Sequence, residues 1–218
     1  MNREPFVTDQ YYHVYNRGTD KRVIFNDATD YRRFVLAIKE FNTKDSVLLR
    51  TKKKDVETKS RQDSPLVEIV CWTLMPNHFH LLIKQLEDGG IAKFLQKLCV
   101  GYTMYFNKRY ERSGNLFQGV TKSVIIDDDA QLLHVARYIH LNPLDLFVTN
   151  WKNEGIVWDD AKPLLYSYPW SNFRSFSKTN NENEIILEQL EQNEGYEKFL
   201  SDWTKKELAW VKYYTLED

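Results

Sequence analysis

Apolar and polar positions follow two periodicities along the chain, which predict four strands and three helices. Short runs rich in β-branched and aromatic residues indicate strands at positions 11–18, 66–76, 78–85 and 121–127. Apolar residues recur at intervals of three and four, as in helices, over positions 27–44, 89–110 and 128–143. Asp27 or Thr29 would cap the first helix, and the last helix would stop before Pro143.

The predicted order of elements is β-α-β-β-α-β-α, with a tight hairpin turn at Met75-Pro76-Asn77 between the second and third strands. This order resembles a ferredoxin-like α+β sandwich, in which an antiparallel sheet carries helices on one face. The second face of such a sheet would be open, so a large substrate could reach residues on it.

Two stretches fall outside this core. Residues 43–65 are polar and charged and predict a loop or an insertion. From residue 146 the chain is loop-rich, and positions 181–210 then show an amphipathic helical pattern. We therefore divide the chain into a core of residues 1–145, with an insertion around 43–65, and a helical C-terminal extension of residues 146–218.

Composition narrows the class of protein. The chain has 218 residues and 42% hydrophobic content, enough for one domain of ordinary size. No apolar run approaches the roughly 20 residues that a membrane span needs, and the N-terminus lacks an apolar signal core. Cys71 and Cys99 lie in apolar runs and are interpreted as buried thiols of a reducing compartment. We expect no membrane partner and a cytoplasmic location.

The charge is distributed unevenly along the chain. The net charge is −1, but residues 179–218 carry −6 and the rest of the chain carries +5. Between Ile91 and Val124 there are six basic residues and a single acid, Glu111. A basic face is compatible with phosphate binding, although an ordinary solvated helix face would look the same.

The segment MPNHFHLLIK at residues 75–84 holds two histidines separated by one bulky residue, Phe79. Side chains at i and i+2 of a strand point to the same face, so His78 and His80 would direct two imidazoles to one spot. Neutral imidazoles suit a divalent metal. The spacing is also common among structural or exposed histidines, so both interpretations stay open.

The segment HVARYIHLNP at residues 134–143 would place further polar groups on one helical face. Tyr138 and Asn142 are four residues apart, and His134 lies one turn before Tyr138. A tyrosine hydroxyl, with a pKa of about 10, is a poor nucleophile near neutral pH. Tyr138 could attack a phosphodiester if its helix lay against the histidine strand and a metal polarised the phosphate. Asn142 could then offer a third metal ligand, whereas packing is the alternative role for Tyr138.

Several segments together resemble the single-tyrosine HUH transposases of small insertion sequences, and most of all their REP-associated tyrosine transposase branch. They occur in order over roughly residues 10–175: YYHVYNRG, MPNHFHLLI, YTMYFNKRYERSGNLFQGVTKS, ARYIHLNP and YPWSNF. The family name refers to two histidines around a bulky hydrophobic residue, which His78-Phe79-His80 supplies. The ferredoxin-like fold of this family agrees with the predicted order of elements.

The resemblance implies a chemistry and a set of roles. His78 and His80 would bind Mg²⁺ or Mn²⁺, while Tyr138 would attack DNA, form a 5′-phosphotyrosine and release a 3′-hydroxyl. Asn142 stands where relatives often carry a longer polar ligand, commonly glutamine. His140 would contact phosphate or metal, or would pack in the core. The implied partner is single-stranded or hairpin DNA, handled by a monomer or a homodimer.

The segment YFNKRYERSGNLFQG and the end of the first strand are candidates for contacts with DNA. Positive or polar side chains that could bind phosphates are Asn16, Arg17, Lys108, Arg109, Arg112 and Lys122. Unpaired bases could stack on Tyr105, Tyr110 and Phe117, unless Tyr105 and Phe117 belong to the core.

Three functions remain in competition. The first is a metal-dependent DNA nuclease and strand transferase of the transposase type. The second is a single-stranded nucleic-acid-binding protein on the same fold without catalysis. The third is a replication or conjugation initiator, although such proteins tend to be larger and often carry a helicase, which nothing in this sequence resembles.

Overall fold

The computed structural model describes residues 5–45, 64–176 and 196–201. Most of the predicted insertion at 43–65 and most of the helical pattern at 181–210 lie outside these ranges. The strands are β1 (Tyr11–Arg17), β2 (Val67–Met75), β3 (His78–Gln85) and β4 (Lys122–Ile126). The core helices are α1 (Ala28–Glu40), α2 (Gly90–Arg109) and α3 (Asp129–Leu141).

Short helices follow the core. A 3-10 helix (Asn142–Leu146) continues directly from α3, and another (Thr19–Lys21) follows β1. The remaining helices are α4 (Trp151–Glu154), α5 (Trp158–Ser167), α6 (Phe173–Phe176) and α7 (Tyr196–Ser201). In the part of the chain that the structure describes, no helix is long and apolar enough to cross a bilayer.

The four strands form one antiparallel sheet in the order β2-β3-β1-β4. Together with the order of elements along the chain, this confirms the predicted ferredoxin-like α+β fold. The hairpin turn between β2 and β3 lies at residues 76–77, as predicted. Asp27 caps α1 by accepting hydrogen bonds from the amides of Thr29 and Asp30, and Asp128 caps α3 in the same way at Gln131.

Helices cover both faces of the sheet, so the expectation of one open face is wrong. Helices α1 and α2 pack on the face that carries Phe79 and Leu81. Helix α3 and the helices after it pack on the other face, against Val70, Cys71 and Leu82. These three side chains are apolar, and leaving them in water would be unfavourable.

The YPWSNF segment lines the outer edge of β2. The amide of Leu74 donates to the carbonyl of Trp170 over 2.8 Å, and the amide of Trp72 donates to Asn172 Oδ1 over 2.7 Å. These bonds satisfy backbone groups that would otherwise form an unpaired sheet edge. The segment therefore joins the C-terminal helices to the same sheet that carries the two histidines.

Candidate active site

Strand β3 begins at His78, so both histidines lie at the start of a central strand. Their rings are 4.9 Å apart and perpendicular, and they share a face as predicted. Phe79 points to the opposite face, where its ring lies 5.1 Å from that of Phe34. On β1, Arg17 pairs with His78 and Tyr15 pairs with His80, so this strand borders the same site.

A hydrogen bond to Asn77 orients the His78 ring. Nδ1 of His78 lies 2.6 Å from Asn77 Oδ1. Asn77 Nδ2 donates to the carbonyl of Lys21, which supports this orientation of the amide. Because an amide oxygen only accepts, His78 carries its proton on Nδ1. Nε2 of His78 is left with the lone pair that a metal requires.

The second imidazole is held by a third histidine, which the sequence patterns did not single out. Nδ1 of His80 lies 2.9 Å from Nε2 of His13, and the two rings stack with centres 5.1 Å apart. Both side chains are fully buried. Nε2 of His80 has no hydrogen-bond partner among the described residues. If His80 donates from Nδ1 to His13, this buried Nε2 presents a lone pair to a metal.

The surroundings keep both candidate ligands neutral. The pKa of His78 is lowered to about 4, mainly by burial and to a smaller extent by the positive charges of Lys152 and Arg17, while Asn142 opposes the shift. Burial also lowers the pKa of His80 well below its ordinary value, assisted by its neighbours His78, His13 and Lys152. Because the neutral imidazole is the form that binds metals, both rings are in the metal-binding protonation state at neutral pH.

Helix α3 brings Tyr138 against the histidine strand. The Tyr138 ring lies 5.4 Å from the ring of His80 and 6.2 Å from that of His13. The residue is 4% exposed. The first condition for Tyr138 to serve as nucleophile, a helix packed on the histidine strand, is therefore met, and the role of a metal stays a prediction.

Asn142, one turn after Tyr138, completes the group. It opens the 3-10 helix, is 1% exposed, and its Oδ1 has no hydrogen-bond partner among the described residues. Its side chain lies close enough to His78 to raise the pKa of that ring. Two imidazole nitrogens and an amide oxygen are a ligand set suited to a divalent cation such as Mn²⁺.

The ligand set depends on the asparagine. Within the described ranges, no group of three or more His, Cys, Asp and Glu residues could hold a metal. With His80 donating from Nδ1, its buried Nε2 and Oδ1 of Asn142 are lone-pair donors without a hydrogen-bond partner among the described residues, and a cation would satisfy both. The residues thus fit the metal that the family resemblance implies.

Two other histidines of the α3 segment do not join the site. His140 contacts the hydroxyl of Tyr196 through Nδ1 at 2.5 Å and Asn172 Oδ1 through Nε2 at 3.0 Å. His140 is fully buried. Its position agrees with packing in the core and not with contact to phosphate or metal. His134, one turn before Tyr138 in α3, has its ring 6.0 Å from that of Phe199.

Two of the predicted phosphate-binding arginines are engaged inside the fold. Arg109 Nη2 lies 2.6 Å from Asp27 Oδ2, and Arg109 Nη1 lies 2.5 Å from Asp30 Oδ1. Arg112 donates to Asn107 Oδ1 and to the carbonyl of Asn115. These bonds hold the end of α2 and its following loop, so neither guanidinium is positioned primarily for DNA.

The neighbouring aromatic residues also have structural roles. The hydroxyls of Tyr105 and Tyr110 both donate to the Asp30 carboxylate. Phe117 is 6% exposed and belongs to the core beneath α2. Of the expected stacking surfaces, the Phe117 ring is therefore not accessible to a base, and the two tyrosines are tethered.

The other candidates for DNA contact divide by position. Asn16 is buried, where its amide donates to Thr121 and its oxygen accepts from the amide of Arg17. Arg17 and Lys122 lie on β1 and β4 in register with the histidine face, and Lys122 is exposed. Lys108 is exposed at the end of α2, in the layer on the opposite face of the sheet.

Comparisons with known proteins bear on this site. Residues 6–142, more than half of the chain, match the family model described as "Transposase IS200 like". The chain is also similar to a solved structure described as "Structure of the REP associates tyrosine transposase bound to a REP hairpin". The identity is 15% and the TM-score 0.48, over 81% of this chain and 83% of that chain. A search of curated proteins gives no significant match.

Proposed function

The chain belongs to the IS200-like transposase family, and from this premise we propose that it cleaves and rejoins single-stranded DNA through a covalent tyrosine intermediate. The observation that carries the proposal is the convergence of Tyr138 with His78, His80 and Asn142 at the start of β3. An ordinary packing site would not leave buried nitrogen and oxygen acceptors without donors.

The chemical step transfers one bond at phosphorus. The phenolic oxygen of Tyr138 forms a bond to phosphorus as the bond from phosphorus to the 3′-oxygen breaks. The phenol loses its proton to solvent, and the departing oxygen takes a proton to become a 3′-hydroxyl. The product is a 5′-phosphotyrosine, so a 3′-hydroxyl can attack it and rejoin a strand without an external energy source.

The ligand set supports a divalent cation as cofactor, Mg²⁺ or Mn²⁺. When bound, the cation would neutralise charge on the scissile phosphate as the tyrosine attacks. His78 and His80 would hold it through Nε2, and Asn142 through Oδ1. Outside them, Asn77 and His13 fix the orientation of the two rings by their hydrogen bonds to Nδ1.

Single-stranded DNA next to a hairpin is the proposed substrate. Arg17 and Lys122 flank the histidine face and could bind phosphates on either side of the scissile position. Together they would orient the strand, while its hairpin would be recognised mainly by shape.

The test is covalent capture of labelled DNA. The protein is incubated with Mn²⁺ and a labelled single strand that carries a hairpin, and the products are separated on a denaturing gel. We expect a slow-migrating adduct with the wild-type chain and none with Tyr138→Phe. Tyr166→Phe is the matched control, because its hydroxyl bonds Glu197 in the C-terminal helices, and it should form the adduct normally.

Two results would contradict the proposal. An adduct formed by Tyr138→Phe would place the nucleophile elsewhere. Hairpin binding by the wild-type chain with no adduct at any Mn²⁺ concentration would instead indicate a nucleic-acid-binding protein without catalysis.

A further inference from the structure

The segment after α3 returns a lysine to the candidate active site. The 3-10 helix ends at Leu146, and Asn150 adopts a left-handed conformation with φ of 59° just before α4. Lys152, in the first turn of α4, then has its Nζ 5.7 Å from the centre of the Tyr138 ring. A chain reversal within a few residues therefore places an ammonium beside the proposed nucleophile.

Asp145 holds this ammonium in place. Its Oδ2 accepts from Lys152 Nζ over 2.8 Å, and its Oδ1 accepts from Nε1 of Trp151 over 2.7 Å. Trp151 is 2% exposed and the Lys152 side chain is 16% exposed. A lysine whose head group is paired and whose neighbouring residue is anchored loses less conformational freedom when it binds a ligand.

The same ammonium lies beside the group that contains the candidate metal ligands. Its Nζ lies over the Tyr138 ring, whose centre is 5.4 Å from that of His80, and the His80 ring is 4.9 Å from that of His78. The scissile phosphate must approach these four side chains if Tyr138 is to attack it.

We propose that Lys152 is a further catalytic residue, whose ammonium donates a hydrogen bond to a non-bridging oxygen of the scissile phosphate. This inference rests on the proposed function. Attack by the phenolic oxygen concentrates negative charge on the phosphoryl oxygens, and a positioned cation stabilises that charge most in the transition state. Asp145 accepts a hydrogen bond from one of the three N–H groups of the ammonium. The ion pair holds the head group near the Tyr138 ring.

The chain offers a closely matched control. Lys162 also pairs with a carboxylate, Glu197 Oε2 at 2.6 Å, and also lies over a tyrosine ring, that of Tyr166 at 5.9 Å. This second pair joins α5 to α7, and its contacts within the described residues are with Tyr166 and not with His78 or His80. Removing it reproduces the loss of an ion pair in the C-terminal helices without removing a cation from the site.

The experiment compares Lys152→Met, Lys152→Arg and Lys162→Met in the full chain. Single-turnover adduct formation is measured with saturating hairpin-bearing DNA and Mn²⁺, alongside DNA affinity and the thermal midpoint. We expect Lys152→Met to slow adduct formation about 100-fold, the usual effect of deleting one transition-state donor. Lys152→Arg should recover much of that rate, and Lys162→Met should stay within about twofold of wild type.

Each outcome decides the matter. A Lys152→Met rate within about threefold of wild type would overturn the role, as would a loss that Lys152→Arg fails to recover at all. Equal loss of rate and thermal midpoint in Lys152→Met and Lys162→Met would make Lys152 a structural tether. If Lys152→Met does not fold, Lys152→Gln is measured instead. Failure of the wild-type chain to form any adduct would sink the proposed function itself, and this role with it.

Discussion

Buried polar groups on the two sides of the sheet differ in whether they have hydrogen-bond partners. In the first turn of α1, Asp30 is fully buried against the end of α2, and its carboxylate accepts hydrogen bonds from Tyr105, Tyr110, Arg109 and the amide of Asn26. Beneath α3, His80 and Asn142 are equally buried, yet one acceptor atom of each has no hydrogen-bond partner among the described residues. The hydrogen bonds of the first group are formed within the protein, whereas the second group presents two acceptor atoms to the proposed cation.

This difference in hydrogen bonding distinguishes polar groups that stabilise the fold from polar groups that are available to bind a ligand. A buried acceptor without a donor costs roughly 1–3 kcal/mol, so two such acceptors near Tyr138 favour a role in binding over a role in stability. Arg109, by contrast, is a basic residue at the surface, but its guanidinium forms ion pairs with Asp27 and Asp30. Local charge along the sequence is therefore a poorer guide to the site than hydrogen-bond satisfaction in the fold.

The largest expected effect comes from removing a ligand on the α3 face. His80→Ala and His78→Ala should abolish adduct formation and leave hairpin binding nearly unchanged, because the metal serves the chemistry. Denaturing gels measure the first quantity and fluorescence anisotropy the second. His134→Ala is the control, since this histidine packs near Phe199, and it should cleave normally. Loss of binding in step with cleavage would make the pair structural.

On the opposite face, removing one polar group should affect stability alone. Asp30→Ala removes the acceptor of two partly buried tyrosine hydroxyls and one of the two carboxylate partners of Arg109, so the free energy of unfolding should fall by roughly 2 kcal/mol. Denaturant titration measures this loss. The adduct rate per folded molecule should be unchanged, and a lower rate would mean that the two faces are coupled.

Lowering the pH should reduce the free energy of unfolding through the buried histidines on the α3 side of the sheet. The pKa of His78 and that of His140 are each lowered to about 4 by burial, so the unfolded chain binds protons more readily than the folded chain between about pH 6.5 and 4. The metal-free protein should lose about 1.4 kcal/mol per pH unit for each such histidine in this window. Denaturant unfolding at pH 7.5, 6 and 5 tests the trend, and an unchanged midpoint from pH 7.5 to 5 would contradict it.

A smaller effect is expected from the residues that orient the ligands. His13→Ala removes the partner of His80 Nδ1 and should weaken Mn²⁺ binding about 10- to 100-fold, with the adduct restored at high Mn²⁺. Asn77→Ala should act in the same direction through His78. Calorimetric titration with Mn²⁺ measures the affinity, and an unaltered affinity in both variants would remove these residues from the site.

The smallest effect concerns the cations around the site. Arg17→Met and Lys122→Met should each lower the salt dependence of DNA binding by about 0.7 in the slope of log K against log salt. Arg109→Met, compared at equal folded concentration, should leave the slope unchanged because its charge is already paired. A reduced slope for Arg109→Met would show that the pair opens to meet DNA.

Much of the fold could be predicted from local patterns. The hairpin at Met75-Pro76-Asn77, the cap at Asp27 and the helix that carries Tyr138 all depend on residues adjacent in sequence. The joint orientation of His78 and His80 follows from strand geometry alone. The covered second face was missed, since no local pattern states which neighbouring helix will bury Val70 and Leu82.

The contacts that give the site its chemistry are distant in sequence. His13 lies 67 positions from His80, and a lone histidine in an aromatic strand carries no signal of its partner. Likewise, Arg109 and Asp30 are 79 positions apart. The ion pair could therefore not be predicted from the basic segment that contains Arg109. Lys152 stands in a loop-rich region without periodicity, where the turn at Asn150 and the pairing with Asp145 place it near Tyr138.

The sequence by itself determined which groups could do chemistry and which local elements would carry them, because spacing of two in a strand and four in a helix follows from backbone geometry. Tertiary structure decided which of those groups remain available. Whether a buried donor or acceptor finds a partner depends on side chains that meet only after the sheet has formed, and that condition separates the histidine site from the paired arginine on the opposite face.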